Sequence, residues 1–206
     1  MRFGITMRVT NANGYDEPRD SIARDWSNYI LEAFPESKYL FIPNIGEKAI
    51  NFIKKWDINV LIISGGDDLG VTPDRDTTEN KLLEYAIKED IPVIAICRGL
   101  QLILTRYGGK LINGDTTFIK QHRTNKHDII VDDSMHSVNS YHTNMIDEKT
   151  VNNSFTVFAR CISDNSVEGV RNDSILAMMW HPEREEKMEK WNKRLIENFI
   201  RKKHET

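Results

Sequence analysis

The stretch "IPVIAICRGLQLIL", Ile91 to Leu104, sets one cysteine between a continuous apolar run and a segment with helical spacing. A thiol attacks only as its thiolate, and a helix amino terminus favours negative charge. Cys97 falls at the carboxyl end of the apolar run and at the first turn of the next segment. A tight strand-to-helix turn needs small neighbours, and Ala95 and Gly99 supply them two residues to either side, as the serine elbow of hydrolases requires. A buried structural cysteine fits the elbow equally well. The turn therefore needs partners before it implies chemistry.

Two further stretches offer partners. "SGGDD", Ser64 to Asp68, closes the neighbouring apolar run and could present free backbone N–H groups through Gly65 and Gly66. "MMWHPERE", Met178 to Glu185, closes the final apolar run with a His, a Pro and a Glu. His181 could act as base and then as acid while Glu183 holds its tautomer and supports the imidazolium. Pro182 restricts His181 to extended backbone, so the strand should stop at the sheet's carboxyl edge. Chemistry in open α/β sheets collects at that edge.

The elements that must position these residues are legible as alternating runs. "FGITMRV", "YLFIPN", "INVLIISGG" and "IPVIAI" read as strands. Between and after them, "SIARDWSNYILEAF", "GEKAINFIKKW", Asp76 to Lys88 and "RGLQLILTRYGG" read as helices. "DTTE" resembles a capping box, with Asp76 at the cap and Glu79 three residues on. After Gly109 the pieces shorten: "KHDIIVDD", "HSVNSYH", "FTVFARC", "SVEGVR" and "SILAMMW" predict added antiparallel strands. "EEKMEKWNKRLIENFIRKK" closes the chain as a helix with an apolar stripe at Met188, Trp191, Leu195 and Phe199. The alternation predicts an α/β fold, a mainly parallel sheet covered on both faces.

Bulk properties exclude several classes. The 206 residues suit one domain, residues 1–206. Lys and Arg total 28 against 31 Asp and Glu, a net charge of -3 with no long basic run, so no nucleic-acid partner is expected. No apolar stretch is long enough to cross a bilayer, the amino terminus reads as a strand, and a cytoplasmic protein is expected. Two cysteines are too few for a disulfide framework. The histidines of "QHRTNKHD" and "HSVNSYH" lack a Cys-x-x-Cys or His-Glu-x-x-His spacing, so no metal is expected.

Taken together, "SGGDD", "ICRGLQ" and "WHPE" resemble the signatures of class I glutamine amidotransferases. "CRG", "PDRDTTE" and "NSYH" narrow the resemblance to the gamma-glutamyl hydrolase branch, peptidase family C26. The resemblance implies a three-layer αβα, flavodoxin-like fold and hydrolysis of a γ-glutamyl amide through a thioester on Cys97. It implies His181 as base and acid, Glu183 orienting it, and an oxyanion held by backbone N–H groups of Arg98 and of the Gly65–Gly66 pair, chiefly Gly66. By the same resemblance Gln101 shapes the glutamyl pocket, and Ser140, Tyr141 and His142 hold the glutamyl amino and carboxylate groups. Neither a cofactor nor an obligate protein partner is implied. "YDEPRDSIARDW" is similar to the hydrolases of capsule phosphoramidate synthesis, which implies a nucleotide-linked small molecule, γ-glutamyl-CDP-amidate, as substrate.

Two departures bear on this. Ala95 stands where the family usually has Gly, and "SYHTN" stands where the branch often reads "SxHHQ", a change that bears on substrate range. The Arg98 side chain at a helix start suits an anionic ligand, and Arg8, Arg19 and Arg24 could meet a diphosphate. A glutaminase subunit feeding ammonia to a synthase is the competing reading, since it would use the same triad; "CRG" favours the free-standing hydrolase.

Overall fold

The structure is a computed structural model and describes residues 1–205, except the side chains of residues 124, 125, 204 and 205. Strand β1, Arg2–Thr6, is buried from Phe3 onward. The expected continuation to Val9 fails, because Arg8–Asn11 forms a separate strand, β2, paired antiparallel with β3, Pro18–Ser21. A strand covered on both faces needs a continuous apolar run, and the polar residues after Thr6 suit a two-stranded hairpin instead. That hairpin also takes the start of the helix expected from Ser21, so α1 spans only Asp25–Ala33. Ile22 and Ala23 still pack on the core from outside it.

Next come β4, Lys38–Ile42, α2, Lys48–Lys55, and β5, Val60–Ile63. Helix α3, Pro73–Lys88, begins three residues before the expected cap, with Thr72 at the N-cap and Pro73 at the first position. Asp76 is thus inside the first turn, where it accepts from the Gly70 N–H at 2.8 Å. Strand β6, Val93–Ile96, leads through Cys97 into α4, Arg98–Arg106. Gly108 ends α4 at a φ of 85°, as the glycine pair predicted.

The remainder holds β7, Leu111–Asn113, α5, Thr116–His122, β8, Arg123–Val131, β9, Ser134–Tyr141, and β10, Asn144–Ile146. Then follow β11, Thr156–Cys161, β12, Val167–Arg171, β13, Ile175–Met178, and α6, Lys190–Glu205. Helix α5 has seven residues, too few for a visible period, and is held by Asp115, whose side chain accepts from the Phe118 N–H.

Nine strands form one sheet in the order β4-β1-β5-β6-β13-β12-β11-β8-β9. The first five are parallel and follow the flavodoxin-like 2-1-3-4-5 order; the last four are antiparallel additions. Alternate strand residues feed two cores. Val60, Ile62, Ile94, Ile96, Leu176 and Met178 pack with α1 and α6. Leu61, Ile63, Val93, Ala95, Ile175 and Ala177 pack with α2, α3 and α4. The fold is the expected three-layer αβα arrangement. No described helix is long and apolar enough to cross a membrane.

Candidate active site

Cys97 sits between β6 and α4 with φ 51° and ψ -102°, a backbone region costly to a side-chain-bearing residue. The register holds it there, as its N–H donates to Met178 O at 2.7 Å in the neighbouring strand. Gly99 is obligatory, since a Cβ there would collide with the Ile63 carbonyl oxygen. Ala95 is fully buried between Ile63 and Ala177, so the methyl group in place of the family's usual glycine is accommodated by packing. The elbow expected from the sequence is present.

His181 follows β13 with the extended backbone that Pro182 imposes, φ -111° and ψ 91°. Its Nδ1 lies 2.7 Å from Glu183 Oε1, both side chains being buried. Burial is the largest influence on the imidazole and opposes its charge. The Glu183 carboxylate and the Cys97 sulfur together outweigh it and push the His181 pKa up to about 9. Cys97 thus acts on His181 from one side and Glu183 from the other. Gly65 lies against the ring, where a Cβ would come within 2.5 Å of His181 Cε1. Tyr141 packs edge-on to it, with ring centroids 5.4 Å apart.

The "SGGDD" loop is shaped from beneath by a buried ionic network. Arg75 Nη2 donates to the carbonyls of Ser64 at 2.8 Å and Gly65 at 3.0 Å. Arg75 is held in turn by Glu79, which also receives Thr6 Oγ1 and the Arg98 guanidinium. With its carbonyls turned to Arg75, the loop leaves the Gly66 N–H without a partner among the described residues. The Arg98 N–H at the start of α4 is likewise unpaired among them. Gly66 has φ 149°, and a Cβ there would collide with Arg75 Nη1.

This network corrects one expectation. The Arg98 guanidinium is 2% exposed and pairs with Glu79 and Asp76, so it is not offered to a ligand. Of the other arginines, Arg19 pairs with Glu17 and Tyr15. Arg8 is the one that reaches the site, lining a small cavity with Ser64, Gly65, Glu183 and Arg184.

Gln101 is buried on α4, one turn past Cys97, and its carboxamide takes no partner among the described residues. Ser140 donates to His122 O at 2.6 Å, while the His142 ring is buried against His122 and Asn144 O. Of that segment, only Tyr141 presents its side chain to His181. Sequence reasoning missed Asn139, which binds the His181 backbone, and Arg184, whose guanidinium lies 4.8 Å over the Tyr141 ring. Asn139 lies in the mostly polar strand "SMHSVNSY", so no local signal marked it.

The chain is 28% identical over 194 residues to a gamma-glutamyl-CDP-amidate hydrolase of Campylobacter jejuni, covering 90% of this chain and 91% of that one. Its fold resembles a glutamine amidotransferase of Thermotoga maritima, with a TM-score of 0.65 at 14% identity over 98% of this chain and 85% of that one. It also resembles a Thermoplasma acidophilum protein described as a GMP synthase subunit, with a TM-score of 0.69 at 18% identity over 100% and 94% of the two chains. Both structural likenesses concern the fold alone. Residues 4–183 match Peptidase C26, from β1 through the His181–Glu183 pair, and the chain belongs to that family, hydrolases on the class I glutamine amidotransferase fold.

Proposed function

We propose that the chain is a cysteine hydrolase of γ-glutamyl amide bonds and that its substrate is γ-glutamyl-CDP-amidate. The observation that carries the reading is Cys97, held at positive φ on its elbow and coupled to a His181 already paired with Glu183 at 2.7 Å. Cys97 Sγ attacks the side-chain amide carbonyl, and its proton resides on His181. The tetrahedral oxyanion takes the N–H groups of Gly66 and Arg98. One such donor is worth about 3 kcal/mol, roughly a hundredfold or more in rate. Collapse breaks the C–N bond, and His181 passes its proton to the leaving nitrogen. The free amidate departs at that step; water, deprotonated by His181, then cleaves the glutamyl thioester, which releases glutamate and returns the Cys97 sulfur. Glu183 keeps His181 Nδ1 protonated throughout.

Gln101, with its free carboxamide, and Tyr141 flank the glutamyl moiety. Ser140 and His142 contribute through backbone, since their side chains are engaged elsewhere. Arg8 and Arg184 at the rim favour an anionic substrate, and similarity to the Campylobacter jejuni enzyme along nearly the whole chain supports the nucleotide-linked leaving group.

The test is glutamate release by the purified protein alone from glutamine, γ-glutamyl amines, γ-glutamyl polyglutamates and γ-glutamyl-CDP-amidate, with wild type and Cys97→Ala. Rapid release from the CDP-amidate that Cys97→Ala abolishes is the expected result. Release from another γ-glutamyl amide would overturn the substrate and keep the reaction class. Silence of a folded protein on all of them would favour a glutaminase subunit that needs its synthase.

A further inference from the structure

On the antiparallel side of the sheet, four elements bring three histidines and a glutamate together. His122 ends α5, His127 lies on β8, His142 follows β9, and Glu168 lies on β12. His122, His142 and Glu168 are buried, Glu168 completely. Two of the rings have fixed tautomers. His122 Nε2 lies 2.8 Å from Asp164 Oδ2, and His142 Nδ1 lies 3.0 Å from Asn144 O. A carboxylate and a carbonyl only accept, so both of these nitrogens donate. In neutral rings the lone pairs of His122 Nδ1 and His142 Nε2 then face each other across 3.1 Å. Glu168 Oε1 stands 3.4 Å from each of them and 3.6 Å from His127 Nε2. Neither Glu168 oxygen and neither His127 nitrogen has a hydrogen-bond partner among the described residues.

Such a convergence of buried acceptors is costly unless a cation lies among them. A proton joining His122 to His142 would relieve one pair and leave the Glu168 carboxylate unserved. Ligand bonds of about 2.0–2.1 Å to a tetrahedral ion put donors about 3.4 Å apart, and the 3.1, 3.4 and 3.4 Å separations among His122 Nδ1, His142 Nε2 and Glu168 Oε1 match, while His127 Nε2 comes close to Glu168 alone. Outward bonds from ligating histidines to a carboxylate and a carbonyl are the usual outer support of such sites.

We propose that His122 Nδ1, His142 Nε2 and Glu168 Oε1 bind one divalent transition-metal ion of the zinc type. Three protein ligands leave a fourth position on the ion for a water molecule. The site ties the end of α5, the residue after β9, and β12 together behind the segment that carries Asn139 and Tyr141 to His181. The sequence could not show it by spacing, because each ligand comes from a different element. The inference is independent of the catalytic reading.

The test uses Cys97→Ala protein, which removes the one active-site thiol, stripped with chelator and titrated with Zn2+ and with Co2+. The expected result is one equivalent of Zn2+ that survives dialysis, intense visible bands of four-coordinate Co2+, and affinity at least about a hundredfold lower in Glu168→Gln and His122→Gln. A folded protein that binds no more Zn2+ than Glu168→Gln would overturn the proposal and leave a protonated histidine–glutamate network. A sulfur-to-cobalt charge-transfer band would overturn the donor set by bringing in Cys161, which lies close to His122 and His127. If either variant fails to fold, the Co2+ spectrum of Cys97→Ala protein decides alone.

Discussion

The Asn139 carboxamide grips both backbone polar groups of His181, accepting from its N–H at 2.9 Å and donating to its carbonyl at 2.8 Å. The two residues are 42 positions apart, on β9 and just past β13. The same Nδ2 reaches Glu185 Oε1 at 2.6 Å, so the whole "HPERE" turn is pinned from one side chain.

Asn139→Ala should leave the buried His181 N–H unpaired and its carbonyl with the Arg184 N–H alone, at a cost of about 1–3 kcal/mol of stability. Loosened placement of His181 should lower kcat about tenfold to a hundredfold with little change in KM. Steady-state kinetics beside a urea melt would check this, and an unchanged kcat would remove Asn139 from the positioning machinery.

The raised His181 pKa makes stability fall with pH. The folded group holds its proton to about 9, while an unfolded histidine loses it near 6.5. The contribution is therefore fully present below about 6.5 and is lost as pH rises to about 9. Glu183→Gln removes the main influence raising that pKa, so the decline between pH 6.5 and 9 should flatten. Rate should drop by roughly 10²–10⁴. Urea midpoints across that window, with rates for both proteins, would show it; parallel stability curves would count against the assignment.

Gly65→Ala would set a methyl group 2.5 Å from His181 Cε1. The ring has to move, and a displacement of about 1 Å is worth about a hundredfold in rate. The expected readout is a kcat defect with a melting temperature close to wild type. Full activity would mean the loop yields in place of the ring.

Glu79 receives Thr6, Arg75 and Arg98 with no exposure of its own side chain. Glu79→Ala leaves the buried Arg75 guanidinium without a counter-charge and Arg98 with Asp76 alone, and the loss should be about 3–5 kcal/mol. Arg98→Lys, which keeps charge but loses the fork, should lower stability while leaving KM for γ-glutamyl substrates near wild type. A KM rise without a stability change would restore Arg98 to substrate binding.

Reading the chain alone works best where the signal is local. The runs that became β5, β6 and β13 are continuous and apolar because both faces of a parallel strand are covered, and that pattern needs no knowledge of neighbours. The small residues around Cys97 and the Pro after His181 are local constraints in the same sense. The β2–β3 hairpin and α5 escaped because four-residue polar strands and a seven-residue helix have too few positions to show a period.

The sequence by itself determined the layered α/β class, the elbow at Cys97 and the ends of the strands that carry Gly65, Gly66 and His181, since each follows from residue type and spacing. Only the tertiary structure decided that Arg98 turns inward to Glu79 and Asp76, that Asn139 holds His181, and that three histidines meet Glu168. Those relationships depend on side chains far apart in the chain whose approach is set by strand order and register, and by the need to pair every polar group the fold buries.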